Sequence, residues 1–289
     1  MIRTILVTGA TGNIGSLVIP QLVEKGAQVR AYVRNSKKAE KLREMGVQLF
    51  EGDFSNQKAL NKAAEGVDAV LALTPPNSDA VAQGKAILNA ALHAGTPYYV
   101  RVSAIGAAED APTENGRMHY ISDEALIQSG LPFTIIRPHF FMQNLLGALE
   151  SIKCESKMYW GMGDGKLGLV DVRDIADCVT KLLVEGEHDG LIYTLTGPAS
   201  ISFYQMAEVL SQSLDKQVEY VPISVDEVYK AFLQMGMDDW FAQVMRDYSK
   251  AYSENWGDYT TGDVEVITGN EPRSFRQFSE EVFLPVFKG

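Results

Sequence analysis

Cysteine is nearly absent from this chain. Of 289 residues only Cys154 and Cys178 carry a thiol, at no spacing that suits a disulfide framework or a metal site, so no metal is expected. A reducing compartment, the cytoplasm, is the expected location. Basic charge is short as well: 26 Lys and Arg face 37 Asp and Glu, and the net charge of −11 repels phosphate backbones and anionic lipid. Neither nucleic acid nor a membrane surface is therefore an expected partner. Long apolar runs are also missing. MIRTILVTGATG holds three aliphatics before a glycine turn, too few for a signal-peptide core, and the apolar run at 131–149 is broken by Pro132, Arg137 and Pro138. No Ser-His-Asp order, H-E-x-x-H helix or cysteine cluster marks hydrolytic or metal chemistry.

What the chain does contain is a regular alternation. ILV at 5–7, QVRAYV at 28–33, VQLF at 47–50, VDAVLAL at 67–73, PYYVRVS at 97–103 and FTIIRP at 133–138 read as strands, with amphipathic segments of helical length between them. Several of those segments close on a glycine, as at Gly26, Gly46, Gly66, Gly95 and Gly130, where a left-handed residue ends a helix. Strands that are nearly all aliphatic and separated by helices imply a parallel sheet covered on both faces. The expected fold is α/β, a Rossmann-type doubly wound parallel sheet with a smaller, mostly helical C-terminal lobe. Residues 1–152, completed by 170–197, form the nucleotide-binding lobe in this reading; 153–169 and 198–289 form the substrate-binding lobe. In the latter, Ser202 with Gln205, Ser224 with Glu227 and Ser274 with Gln277 are capping-box signals for three helices. Pro20, inside the first helical pattern, predicts a kink near Ser16.

VTGATGNIG places Gly9, Gly12 and Gly15 directly after the first strand, opening the first helix. Glycines there permit a tight turn, close approach of a pyrophosphate and close helix-on-sheet packing, while the helix N-terminus supplies free N–H groups. Gly9, Thr11, Gly12, Asn13, Ile14 and Gly15 are the candidate phosphate cradle. A site for NAD usually places an acid about 20 residues later on the second strand. QVRAYVRNSKKA has none and offers Arg34 instead, suited to a 2′-phosphate, so NADP(H) is the expected cofactor. Asp53 and Phe54 are expected at the adenine, Thr74 and Pro75 where the cofactor crosses the sheet, and Ser103 and Ala104 near the nicotinamide. GMGDGK at 161–166 imitates a phosphate loop but has one residue too few between its glycines, and Leu167 stands where a hydroxyl is required.

The set VTGATGNIG, AYVRN, EGDF, VSAIGA, SGLPFTIIRPHFFMQN, GLVDVRDIA and YTLTGP resembles the atypical short-chain dehydrogenase/reductases along nearly the whole chain. Within them it is most similar to the NmrA-like group, which includes NAD(P)H:quinone oxidoreductases, triphenylmethane reductases and catalytically silent nucleotide-sensing regulators. The resemblance implies a substrate cleft between the two lobes. Most of the wider superfamily uses a Tyr-x-x-x-Lys pair, and here no tyrosine has lysine four residues on. Where the pair belongs the sequence reads RMHYISDEAL, which puts His119 and Asp123 on one helix face, Tyr120 beside Glu124, and Met118, Ile121 and Ala125 on the apolar stripe. The stretch is either a proton-transfer device, with His119 and Tyr120 as its catalytic candidates, or a solvated helix face.

The missing pair counts against sugar-nucleotide epimerases and alcohol dehydrogenases, which deprotonate a hydroxyl. It counts less against reducing an electron-poor acceptor. The reading is an NADPH-dependent reductase passing hydride to a small quinone-like or conjugated aromatic acceptor; the alternative is a non-catalytic NADP(H)-sensing regulatory protein. His139, Phe140 and Asn144 are the substrate-binding candidates. The stripe Phe241, Met245, Tyr248 and Tyr252, with Trp240 and Trp256, reads as core or as the wall of a flat aromatic pocket. Monomer and homodimer both remain open.

Overall fold

The aliphatic runs form strands at Thr4–Val7 (β1), Gln28–Val33 (β2), Gln48–Glu51 (β3), Ala69–Ala72 (β4), Tyr98–Val102 (β5) and Phe133–Pro138 (β6). Lys157–Trp160 (β7) and Lys166–Leu167 (β8) follow in the chain but pair elsewhere, and Leu191–Leu195 (β9) returns to the sheet. Its order is β3-β2-β1-β4-β5-β6-β9. Every ladder from β3 across to β6 is parallel, with Leu6 opposite Arg30 on one side of β1 and Val70 on the other. Strands β4 and β5 are buried at every position, as a sheet covered on both faces requires. The chain winds outward in both directions from β1, so the strand order reverses between β1 and β4. In an open α/β sheet that reversal leaves a crevice at the carboxyl ends of the strands, where ligands bind.

The computed structural model describes residues 3–289, and the chain divides into two compact units. The first comprises the residues up to Glu109, Arg117–Arg137 and Ile175–Tyr193. Its helices are Gly15–Glu24 (α1), Glu40–Glu44 (α2), Gln57–Ala64 (α3), Ala80–His93 (α4), most of Glu114–Ile127 (α5) and, after Leu149–Glu155 (α6) of the second unit, most of Val172–Glu185 (α7). Helix α1 runs without interruption through Pro20, although the missing N–H leaves the Ser16 carbonyl without its helical donor.

The second unit comprises Asp110–Gly116, Pro138–Asp174 and Thr194–Gly289. Its second stretch begins at Pro138, earlier than the boundary at 152 read from the sequence. The reason is packing: Phe140, Met142, Leu145, Ala148 and Ile152 join Phe203, Met206, Phe278 and Phe283 in one core. The short strands Ile201–Ser202 (β10) and Glu219–Pro222 (β11) pair antiparallel with β8 and parallel with β7. Helices Phe203–Leu214 (α8), Val225–Gln234 (α9), Asp239–Ser253 (α10), Asp263–Thr268 (α11), Phe275–Phe278 (α12) and Leu284–Lys288 (α13) complete it. All three expected capping boxes are present, each serine accepting from the backbone amide three residues on.

Candidate functional site

The turn after β1 is built around two glycines that nothing larger could replace. Gly9 has φ +61°, and a Cβ there would lie 2.7 Å from the Leu73 Cβ; a Cβ on Gly15 would lie 2.4 Å from the Gly9 carbonyl oxygen. Thr8, fully buried, holds this arrangement. Its hydroxyl donates to the Leu73 carbonyl at 3.0 Å and accepts from the Leu73 amide at 2.9 Å, locking the ends of β1 and β4 together.

Gly12 is different. Its missing Cβ would meet only the Gly9 oxygen, at 3.3 Å, so its outer side is open. Helix α1 then begins with no side-chain cap and no acid in its first turn. Among the described residues, the amides of Asn13 and Ile14 donate to nothing. Free N–H groups, a positive dipole end and an open glycine are the features that a pyrophosphate cradle requires.

At the ends of β2 and β3, Arg34 is exposed and makes no ion pair among the described residues. The register places Glu51 opposite Val33, and Glu51 accepts from both the amide and the hydroxyl of Ser36, which lowers its pKa below the usual carboxylate range. This clamp, which the sequence reading missed by searching only the second strand for an acid, fixes the loop that follows Arg34. Asp53 turns its carboxylate onto Ser55, whose amide it accepts at 2.9 Å, while its carbonyl accepts from the Tyr32 hydroxyl at 2.8 Å. Phe54 lies beside that tyrosine, ring centroids 6.0 Å apart.

Thr74 is half-buried and Pro75 exposed just past β4, and Ser103 and Ala104 are buried just past β5. Ser103 opens onto an ion cluster. The Asp123 carboxylate, with no exposure, accepts from the Ser103 hydroxyl at 2.8 Å, from Arg101 Nε at 2.7 Å, and from Arg137 Nε and Nη2 at 3.1 and 3.0 Å. The apolar stripe expected on α5 is therefore corrected. Ile121 is 52% exposed and Ala125 is exposed, whereas Ser122, Asp123 and Leu126 face inward, because two arginines on the strands beneath draw the carboxylate in.

His119, one turn before Asp123, is half-buried, and its Nδ1 lies 3.2 Å from Arg101 Nη2. Burial and the guanidiniums of Arg101 and Arg137 push its pKa down to about 3, so the ring is neutral at pH 7. Tyr120 is half-buried, and Glu124, then partial burial and Glu109, raise its pKa, which keeps the phenol protonated.

In the second unit, His139 is 1% exposed with both ring nitrogens engaged, Nε2 with the Gly257 carbonyl at 3.1 Å and Nδ1 with the Phe140 amide at 2.7 Å. It has no free donor or acceptor to offer a ligand. Phe140 is buried edge-on against Trp160 and Tyr252, and of the three substrate candidates only Asn144 is exposed. Most of the aromatic stripe packs as core, with Tyr252 buried and Met245, Tyr248 and Trp256 on the same cluster, whereas Phe241 and Trp240 are only partly buried, Phe241 against Phe232 and Trp240 with its indole donating to Glu114. The glycines of the second glycine-rich loop also serve packing, since a Cβ on Gly165 would strike the Tyr252 carbonyl at 1.9 Å and one on Gly168 the Tyr259 carbonyl at 2.2 Å.

The sequence profile of the NmrA-like family matches residues 1–280. The chain is 35% identical to the NAD(P)H azoreductase of Xenophilus azovorans over 279 residues, covering 96% of each protein. It is 28% identical to quinone oxidoreductase 2 of Escherichia coli strain K12 over 246 residues, covering 84% of this chain and 86% of that one. Among solved structures, the NADPH-dependent quinone oxidoreductase of Escherichia coli in complex with NADPH superposes with a TM-score of 0.88 at 25% identity, over 96% of this chain and 99% of the other.

Proposed function

From the premise that the chain belongs to the NmrA-like family, we propose that it is an NADPH-dependent reductase that passes hydride to a small, electron-poor acceptor of the quinone class. The observation that carries this reading is the cradle at the start of α1: an open Gly12, the unpartnered amides of Asn13 and Ile14, and no competing acid. The azoreductase and quinone oxidoreductase relatives support an oxidoreductase of NAD(P)H, and the choice of acceptor and of NADPH over NADH is our own.

The residues present fit the cofactor. Asn13 and Ile14 bind its pyrophosphate through backbone N–H groups, with Thr11 and Gly12 forming the near wall and Gly9 and Gly15 setting the turn. Arg34 meets the 2′-phosphate, since a guanidinium pairs with phosphate oxygens bidentately. Asp53 and Phe54 would border the adenine, Thr74 and Pro75 the middle of the dinucleotide, and Ser103 and Ala104 the nicotinamide end. When bound, the reduced nicotinamide supplies the hydride. The chain orients the acceptor and stabilises charge as it develops there, with His119 and Tyr120 offering N–H and O–H donors and water delivering the proton that completes reduction. An acceptor that already draws electrons strongly needs no phenolate–lysine pair, and none is present.

The test is direct. Purified protein is saturated with NADPH and offered a panel of benzoquinones and naphthoquinones while nicotinamide absorbance is followed. Oxidation dependent on the acceptor is the expected result. Tight NADPH binding with no turnover across the panel would overturn the reductase reading in favour of a nucleotide sensor.

A further inference from the structure

Arg101 reaches two groups at once. From β5 its buried guanidinium directs Nε to the Asp123 carboxylate at 2.7 Å and Nη2 to His119 Nδ1 at 3.2 Å. Gly84 of α4 closes over the same guanidinium: a Cβ there would lie 3.6 Å from Arg101 Nη1. The fork therefore has little freedom to turn.

A guanidinium has donors and no acceptor, so the contact with Nδ1 fixes the imidazole. Nδ1 must be the accepting nitrogen, and the ring proton must sit on Nε2. Among the described residues Nε2 has no partner, and the ring is only half-buried. The usual device is the opposite one, a carboxylate that accepts from Nδ1–H, orients the ring and makes it a stronger base. Here the nearby carboxylate, Asp123, spends its oxygens on Arg101, Arg137 and Ser103, and a cation stands where the carboxylate would act.

We propose that Arg101 is a positioning residue that holds His119 as a neutral imidazole with its proton on Nε2, so that His119 gives the acceptor oxygen a hydrogen bond and keeps its proton. The inference rests on the reductase reading for the identity of the acceptor, and on the Arg101–His119 contact alone for the state of the ring. The charged groups facing the ring are Arg101 of β5 and Arg137 of β6, with Asp123 on its own helix, while α4 brings only the uncharged Gly84 against the Arg101 guanidinium. Both facing cations oppose a second proton on the imidazole, in keeping with its depressed pKa.

The experiment uses the whole chain labelled with ¹⁵N-histidine, first without cofactor. The chain has 4 histidines, and His119 is assigned by its loss in His119→Gln. The expected spectrum shows a proton on Nε2, a bare Nδ1 and no titration between pH 5 and pH 8. A proton on Nδ1, or a midpoint near the ordinary imidazole value of about 6.5, would overturn the proposal. The second readout is the pH profile of quinone reduction, expected to carry no histidine transition in the wild type. In a folded Arg101→Gln the ring proton should no longer be held on Nε2, and the ¹⁵N shifts should move toward a mixture of the two tautomers, which a merely structural loss of stability would not produce. Unchanged ¹⁵N shifts in a folded Arg101→Gln would also overturn the assignment. If the spectrum is as expected but His119→Gln leaves quinone reduction unchanged, the positioning of the ring stands and the placement of the acceptor at His119 fails.

Discussion

Arg101 Nε lies 2.7 Å from Asp123 Oδ1, with only 4% of one side chain and none of the other exposed. Arg137 donates to the second carboxylate oxygen, so two cations share one buried anion. Removing a single member of such a set leaves unpaired charge away from water, which typically costs about 3–5 kcal/mol. Asp123→Ala should lose stability in that range by chemical denaturation, and Asp123→Asn, which keeps the shape but not the charge, should lose much of it. Ser103→Ala removes one hydrogen bond and should cost about 0.5–1.5 kcal/mol. A loss below about 1 kcal/mol for Asp123→Ala would mean that solvent reaches the two guanidiniums.

Arg34 should separate the two nucleotides. It is exposed and makes no ion pair among the described residues, in keeping with a side chain whose partner is a ligand. A charge-assisted hydrogen bond contributes about 1.5–3 kcal/mol, so Arg34→Ala should weaken NADPH roughly tenfold to a hundredfold and leave NADH nearly unchanged. Calorimetric titration with each nucleotide reads both numbers, and equal losses would place the 2′-phosphate elsewhere.

The glycines of the first turn should part company under mutation. Gly12→Val puts a branched side chain on the open side of the turn and should abolish nucleotide binding while the protein stays folded. Gly15→Ala drives a Cβ to within 2.4 Å of the Gly9 carbonyl and should cost about 1–3 kcal/mol of stability as well as binding. Thermal melts with and without NADPH separate the two effects. Normal NADPH binding by Gly12→Val would remove the pyrophosphate from this loop.

The sheet and the glycine turn were legible because period and punctuation are local properties: aliphatic runs, glycines at helix ends and serine caps each act within a few residues. Helix α5 was not legible in the same way. Its apolar residues, read alone, put Ile121 inside, and only the arginines at 101 and 137, distant in sequence, explain why Asp123 is inside instead. His139 failed for a similar reason, since its partner carbonyl belongs to Gly257. Glu51 was overlooked because the strand beside Arg34 in space is β3, not the one that carries Arg34.

Acid should expose the buried histidines. Burial pushes His139 down to about 4, below its ordinary value of 6.5, so the unfolded chain takes the proton first. The stabilisation is fully present above about pH 6.5 and is lost as pH falls toward about 4, and His119 acts in the same direction. Between pH 6.5 and 5, before most carboxylates titrate, stability should fall by up to about 1.4 kcal/mol per pH unit for each such histidine. His139→Gln should flatten that slope in urea titrations. An unchanged slope would mean that the ring takes up a proton in the folded state.

The last expectation concerns how much chemistry RMHYISDEAL carries. A general acid in the transition state typically supplies about 10²–10⁴ in rate, because it must surrender a proton as the bond forms. His119, neutral with its Nδ1 against Arg101, and Tyr120, whose pKa is raised by Glu124, are donors that hold their protons. A neutral hydrogen bond is worth about 0.5–1.5 kcal/mol, which is at most about tenfold in rate. His119→Ala and Tyr120→Phe should therefore each slow quinone reduction by less than about tenfold, with much of the loss in KM. Single-turnover kinetics on NADPH-saturated protein isolates the hydride step. A loss of order 10³ there for His119→Ala would make the imidazole a true acid, while no loss for either variant would make this helix face a bystander.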